Sequence, residues 1–277
     1  MQDKISSIKN RLKNISQKMA RDYNFVLQLY FQERFIYRLS ISEYKNNFIL
    51  KGGLFIFIFS KNSFRPTKDI DFLGYKVSND IKEIETIFKS IAEIPVDDGI
   101  IFKTDSIKTE IIKEGADYEG IRFKISGFLG NIKQPIIIDI GFGDKITPMA
   151  KEFTYPILLE NQEPVLFSYN YETVIAEKIE AICKLGVATS RMKDFYDINF
   201  IFEKYDLDSE TIKNAINNTF INRGTDKSLF NNLKNDSLWN NQEKMWSAFQ
   251  NKIRNKNKTS FKKARNLIIN NLINFFS

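Results

Sequence analysis

Residues Lys51–Asp71 read KGGLFIFIFSKNSFRPTKDID, and the fold turns on how this stretch divides. Gly52-Gly53 opens it, Leu54 to Phe59 is apolar throughout, and a polar loop containing Pro66 leads to Asp69 and Asp71. Side chains of an extended strand alternate faces, so Asp69 and Asp71 share one face while Ile70 and Phe72 point the other way into a core. Two carboxylates projecting together repel, and one is driven neutral unless a cation lies between them. Mg²⁺ suits such a pair, because it takes a few carboxylates and lets substrate phosphates complete its shell. A glycine pair at a helix start lets backbone N–H groups approach an anion closely, and the helix dipole adds to the attraction. The stretch predicts a phosphate cradle followed by a metal-binding carboxylate pair.

Working outward, residues 1–46 carry helix-like apolar spacing without Gly or Pro and lead into a strand at Asn47–Leu50. On the other side the dyad strand runs on to Tyr75. A helix is expected from Asp80 to about Ile94, capped by Ser78 or Asn79, with Ile81, Ile84, Ile87 and Ile91 on one face. Strand-like segments follow at Ile100–Lys103, Ile107–Glu114 and Gly120–Ser126, with a turn at Ala116–Glu119. Gly130-Asn131 leads into a further strand, Gln134–Ile140. Beyond Glu160 the pattern is helical, at Ser168–Leu185, Ser190–Tyr205, Asp208–Asn217 and from Ser228 onward. The fold class is α+β: a small mixed β-sheet lobe with flanking helices over 1–163, and an α-helical lobe with a basic C-terminus over 164–277.

Composition removes several chemistries. The chain has 277 residues, 43% hydrophobic with 25 Phe, which is a globular and not a disordered composition. It contains no histidine, so Ser-His-Asp catalysis and His-based zinc sites are excluded. Cys183 is the single cysteine, and no disulfide framework can form within one chain. No apolar run nears the ~20 residues that span a bilayer, and the N-terminus lacks an apolar signal region. A cytoplasmic protein with no membrane partner is expected. The net charge of +7 favours polyanions. From Gln250 onward acids are absent while Lys252, Arg254, Lys256, Lys258, Lys262, Lys263 and Arg265 cluster, which is either a solvated face or a nucleic-acid contact.

Further charged residues sit in apolar surroundings. Asp139 lies within PIIIDIGFGD, and a buried unpaired carboxylate costs several kcal/mol. It is expected as a third metal carboxylate beside the dyad, against the alternative of a strand-end residue capping a turn, and Asp144 is read as a turn residue. Lys178 falls in the middle of the stripe Val174, Ile175, Ala181, Ile182 and Leu185, where it either contacts a phosphate or makes a structural ion pair. Glu177 is placed toward solvent. Asp194 sits on the apolar axis of the next helix, with Asp197 at its edge, and the two helices' inward ions could pair with each other. Arg191 is an anion contact or an ion-pair partner, and Arg65 and Thr67, just before the dyad, could reach a triphosphate or stay solvated. Trp239 and Trp246 read as core.

Gly52-Gly53, RPTKDIDF from Arg65 to Phe72, Glu177-Lys178 and RMKDFYD from Arg191 to Asp197 occur in that order. Together they resemble the signature of the AbiEii/AbiGii toxin family of DNA polymerase β-like nucleotidyltransferases, over roughly residues 45–205. Position 53 is glycine where the family often has serine, and the spacing from Gly53 to Asp69 is somewhat long. The resemblance implies a two-lobed toxin whose helical lobe closes over the nucleotide, neutralised by a separately encoded antitoxin. It implies a nucleoside triphosphate substrate and, for some relatives, addition to the 3′ end of tRNA. Carried over residue by residue, Asp69 and Asp71 bind metal, Lys178 contacts the triphosphate, and Asp194 or Asp197 completes the site.

The expectation is nucleotidyl transfer dependent on Mg²⁺ or Mn²⁺, with Asp69, Asp71 and Asp139 as metal ligands. Asp139 could also take the acceptor's proton. Lys178 and Asp194 join the catalytic set, and Gly52, Gly53, Arg65, Thr67, Arg191 and Asp197 contribute to nucleotide binding. RNA is the expected acceptor. The alternatives are a protein or small-molecule hydroxyl, or a non-catalytic nucleotide-binding module.

Overall fold

The isoleucine-rich segment around Asp139 becomes an inner strand of a mixed sheet. The computed structural model describes residues 2–60, 65–114 and 118–276. It divides into two compact units, Met1–Gly143 with Lys151–Ser168, and Asp144–Ala150 with Tyr169–Ser277. Among the described residues the first unit holds strands β1 (Phe48–Lys51), β2 (Asp69–Gly74), β3 (Ile101–Glu114), β4 (Tyr118–Leu129), β5 (Ile132–Phe142), β6 (Lys151–Thr154) and β7 (Val165–Ser168). Their order is β3-β4-β5-β2-β1-β7-β6. β2 runs parallel to β5 and β1 parallel to β7, while the remaining neighbours are antiparallel. This is the α+β class that the pattern of elements predicts.

Helices α1 (Gln2–Lys18), α2 (Tyr23–Ser40), α3 (Gly52–Phe59) and α4 (Ile81–Glu93) belong to the same unit. α4 turns Ile84, Ile87, Phe88 and Ile91 inward. Phe88 stacks on Phe35 and meets Phe48 and Phe123, so one ring ties two helices to two strands. Truncating such a ring to alanine costs about 3–5 kcal/mol. Asp80, not Ser78 or Asn79, caps α4: its Oδ1 accepts from the Lys82 and Glu83 N–H groups. The shift of one position follows from reach, since a cap must present its oxygen to the second and third helical donors.

α2 is buried around nearly its whole circumference, polar residues included. Gln28 and Gln32 donate to the Lys68 carbonyl, which anchors the chain just ahead of the dyad. Arg38 holds buried Asp98 at 2.7 Å, and the Leu158 N–H donates to Glu33 at 2.7 Å. Burial pushes the Glu33 carboxyl up to about 7.

Three expectations change here. The two strands expected from Ile100 to Glu114 are one strand with a register shift between Lys103 and Lys108. β6 and β7 were not anticipated, and Ser168 ends a strand instead of starting a helix. Its segment is extended because Ser168 pairs with Leu50 of β1, and so short an apolar run cannot be told from a helix by periodicity. Part of the loop ahead of Arg65, and the turn expected at Ala116, lie outside the described residues.

The second unit contains α5 (Tyr171–Leu185), α6 (Met192–Lys204), α7 (Ser209–Asn222), α8 (Asn231–Lys234), α9 (Gln242–Lys252) and α10 (Phe261–Leu272). Asn170, Asp208 and Ser260 cap α5, α7 and α10 with their side-chain oxygens. Trp239 and Trp246 are core residues, packed with Phe261 and donating their indole N–H groups to the Asn232 and Thr259 carbonyls. Asp144 is more than a turn residue: it accepts from Arg223 at 2.8 Å and is buried. Arg223 also pairs with Glu180 at 2.8 Å and lies 3.6 Å from Glu177. Glu177 therefore does not face solvent; it further accepts from the Tyr169 hydroxyl at 2.8 Å. A buried arginine demands acceptors, and these acids supply them.

Candidate active site

β2 does what its period-two pattern requires. Ile70 and Phe72 are fully buried, while Asp69 and Asp71 lie half-buried on the opposite face. Asp71 stands opposite Lys51 of β1 on one side and opposite Asp139 of β5 on the other. Asp139 in turn stands opposite Arg122 of β4. Residues paired directly across strands share a face, so Lys51, Asp71, Asp139 and Arg122 form a row across four strands.

α3 starts against this row. Gly52 has φ +71°, and a Cβ there would overlap the Asp71 carboxylate. Only glycine combines that backbone with so close an approach. A Cβ at Gly53 would lie 3.0 Å from Thr67 Oγ1 and 3.4 Å from Arg65 Nη2. Gly52, Gly53, Arg65, Thr67 and Asp71 are thereby brought together around the first turn of a helix whose N–H groups attract anions.

Asp139 has a partner that sequence reading missed. Arg122 Nε and Nη2 each donate to one of its oxygens at 2.7 Å, a bidentate fork. Arg122 is driven further toward its charged form, chiefly by the hydrogen bonds to Asp139, with Asp69 also contributing. The signal was available. The hairpin joining β4 to β5 turns at Gly130-Asn131, and pairing outward from Leu129 with Ile132 brings Arg122 to Asp139. Lys51, the other cation of the row, is buried, and the sequence pattern does not single it out.

A divalent ion suits Asp69 and Asp71, two hard carboxylates sharing one face, with substrate oxygens completing the shell. Asp139, the expected third carboxylate, lies beside this pair on β5. Among the described residues no group of three or more acidic, His or Cys side chains is arranged to hold a metal, and the Asp139 oxygens are engaged by Arg122.

In the second unit Lys178 Nζ lies 2.8 Å from Asp194 and 2.7 Å from Asp197, both fully buried. Of the two alternatives for Lys178, the ion pair is the arrangement present. Arg191, at the N-cap of α6, adds a second cation on Asp194 and remains partly exposed. Burial alone would raise the Asp194 pKa, but Lys178, Arg191 and Lys193 outweigh it and hold the carboxyl well below the usual range. A cavity of about 650 Å³ in the first unit is lined by Lys4, Arg11, Tyr30, Tyr37, Asp98 and Asn161 among others, and by none of the predicted site residues.

The class of enzyme follows from a family model matching residues 34–266: the protein is a nucleotidyltransferase. The chain belongs to the family described as nucleotidyl transferase AbiEii toxin, type IV toxin–antitoxin system. Membership implies a nucleoside triphosphate substrate and an antitoxin partner. No curated protein matches the chain. Two solved structures resemble it at 14% identity and a TM-score of 0.46. One is the crystal structure of JHP933 from Helicobacter pylori, with 88% of each chain covered. The other is an H. pylori structure carrying a provisional description as a nucleotidyltransferase, covering 88% of this chain and 91% of that one. Among the described residues no helix is long and apolar enough to cross a membrane.

Proposed function

We propose that this toxin transfers a nucleoside monophosphate from a triphosphate to an RNA hydroxyl in the cytoplasm, with the 3′ end of tRNA as acceptor and Mg²⁺ or Mn²⁺ as cofactor. The observation that carries the reading is the Asp71 carboxylate packed against Gly52 at the start of α3, with Asp69 beside it on the same face. The acceptor oxygen forms a bond to the α-phosphorus, the bond to the leaving pyrophosphate breaks, and the hydroxyl proton passes to solvent water. Asp69 and Asp71 would hold divalent ions, one of which would polarise the acceptor hydroxyl while the other would offset charge on the leaving pyrophosphate.

The chain's own groups supply the rest. The α3 N–H groups at Gly52 and Gly53, with Thr67 and Arg65, bind phosphate oxygens. RNA contact falls to Lys252, Arg254, Lys256, Lys258 and Lys263, which are exposed. Lys262 and Arg265 are already engaged with Asp236.

Incubating the protein with Mg²⁺, each labelled triphosphate and total RNA or total protein tests this. Label in tRNA is the expected result. Label in protein would move the acceptor to a protein hydroxyl, and nucleotide binding without transfer would overturn the enzymatic reading.

A further inference from the structure

The row Lys51, Asp71, Asp139, Arg122 alternates as cation, acid, acid, cation over β1, β2, β5 and β4. Neighbouring strands are ~4.8 Å apart, and like charges directly opposite each other are destabilising. The inner acids, Asp71 and Asp139, are such a pair. Each has a cation on its outer side, and for Asp139 that cation is bound through both oxygens.

A guanidinium cannot be deprotonated in a protein, and its planar fork matches a carboxylate better than an ammonium does. Arg122 therefore never vacates Asp139 by losing its proton; only competition for the carboxylate can separate them. Arg122 also lies near enough to Asp69 for the two charges to interact.

We propose that Arg122 is a positioning residue that withholds Asp139 from the metal site, so that in the nucleotide-free protein a divalent ion is held by Asp69 and Asp71 alone. The inference rests on the carboxylate-pair reading above and deepens it. The site takes one ion per chain before nucleotide binds, and Asp139 is reserved for the nucleotide-bound state, where triphosphate oxygens offer Arg122 another anion.

Mn²⁺ titration of the nucleotide-free protein by calorimetry, with the bound ion counted by electron paramagnetic resonance, tests this without turnover. Wild type is expected to bind one ion per chain. Arg122→Gln is expected to gain a second ion or to bind the first at least tenfold more tightly. Arg122→Lys, which keeps the charge, stays close to wild type, and adding Asp139→Asn to Arg122→Gln removes the gain. Asp139→Asn alone, a near-isosteric change that remains informative if Arg122→Gln fails to fold, lowers Mn²⁺ affinity by less than tenfold.

A wild type that binds two ions, an Arg122→Gln variant indistinguishable from wild type, or a tenfold loss in Asp139→Asn overturns the inference. Asp71→Asn separates it from the underlying reading. If that variant still binds Mn²⁺ normally, the carboxylate pair is not the metal site and both readings fall. If it loses the ion while Arg122→Gln gains none, the pair stands and the role of Arg122 does not.

Discussion

The two units use acids in opposite ways. On β2 of the first, Asp69 and Asp71 lie half-buried on one strand face, with Asp71 beside the start of α3. In the second, Asp194 and Asp197 are fully buried and already neutralised by Lys178 and Arg191. Altering a half-buried acid costs less than breaking a fully buried pair, which leaves an uncompensated charge. Chemistry and stability should therefore separate between the units.

Lys178→Met offers the largest stability effect on that comparison. It removes the cation shared by two buried carboxylates, leaving Arg191 on Asp194, and is expected to lower unfolding free energy by about 3–5 kcal/mol in denaturant titration. A loss below about 1 kcal/mol would mean the cluster is not a structural pair. Next comes pH. The folded Glu33 carboxyl titrates at about 7 against an ordinary 4.5, because burial disfavours its charge. Its contribution to stability is fully present below about pH 4.5 and lost as pH rises through about 7, on the order of 3 kcal/mol. Glu33→Gln should flatten that slope in unfolding measured from pH 4.5 to 8.

Asp194 has the opposite sign. Its folded pKa lies below the ordinary 3.8, so its stabilisation is present above that value and lost as pH falls through the folded one. Asp194→Asn should abolish this acid-side dependence, read in unfolding measured below pH 4. The smallest effect belongs to the tail. Lys256→Gln with Lys258→Gln should make the slope of log affinity for RNA against log salt shallower by about 0.7 for each phosphate that is no longer neutralised. An unchanged slope would remove these lysines from the RNA-binding surface.

How legible all this was depended on the range of the interaction. The Asp69/Asp71 face, the glycine-started helix and the apolar face of α4 are local consequences of period two or period 3.6, and they stand as expected. Asp139 beside Asp71 follows from putting two apolar strands in one sheet. Arg122 needed the register of the β4–β5 hairpin, obtainable by counting out from Gly130-Asn131 but not from composition. The partners of Asp144 and Glu177 were beyond reach, since they depend on Arg223, some eighty and forty-six residues later in the sequence. β6 and β7 were hidden for a different reason: four-residue strands at a sheet end owe their conformation to their neighbours.

The division of labour is tested most directly by measuring Asp71→Asn and Asp194→Asn side by side, for label transfer from a triphosphate to RNA and for unfolding free energy. Asp71→Asn should lose transfer by at least about a hundredfold, as several kcal/mol of metal-assisted stabilisation requires, with a smaller loss of stability than Asp194→Asn. Asp194→Asn should lose stability first. Undiminished transfer by a folded Asp71→Asn protein would contradict the assignment of the chemistry to the β2 face.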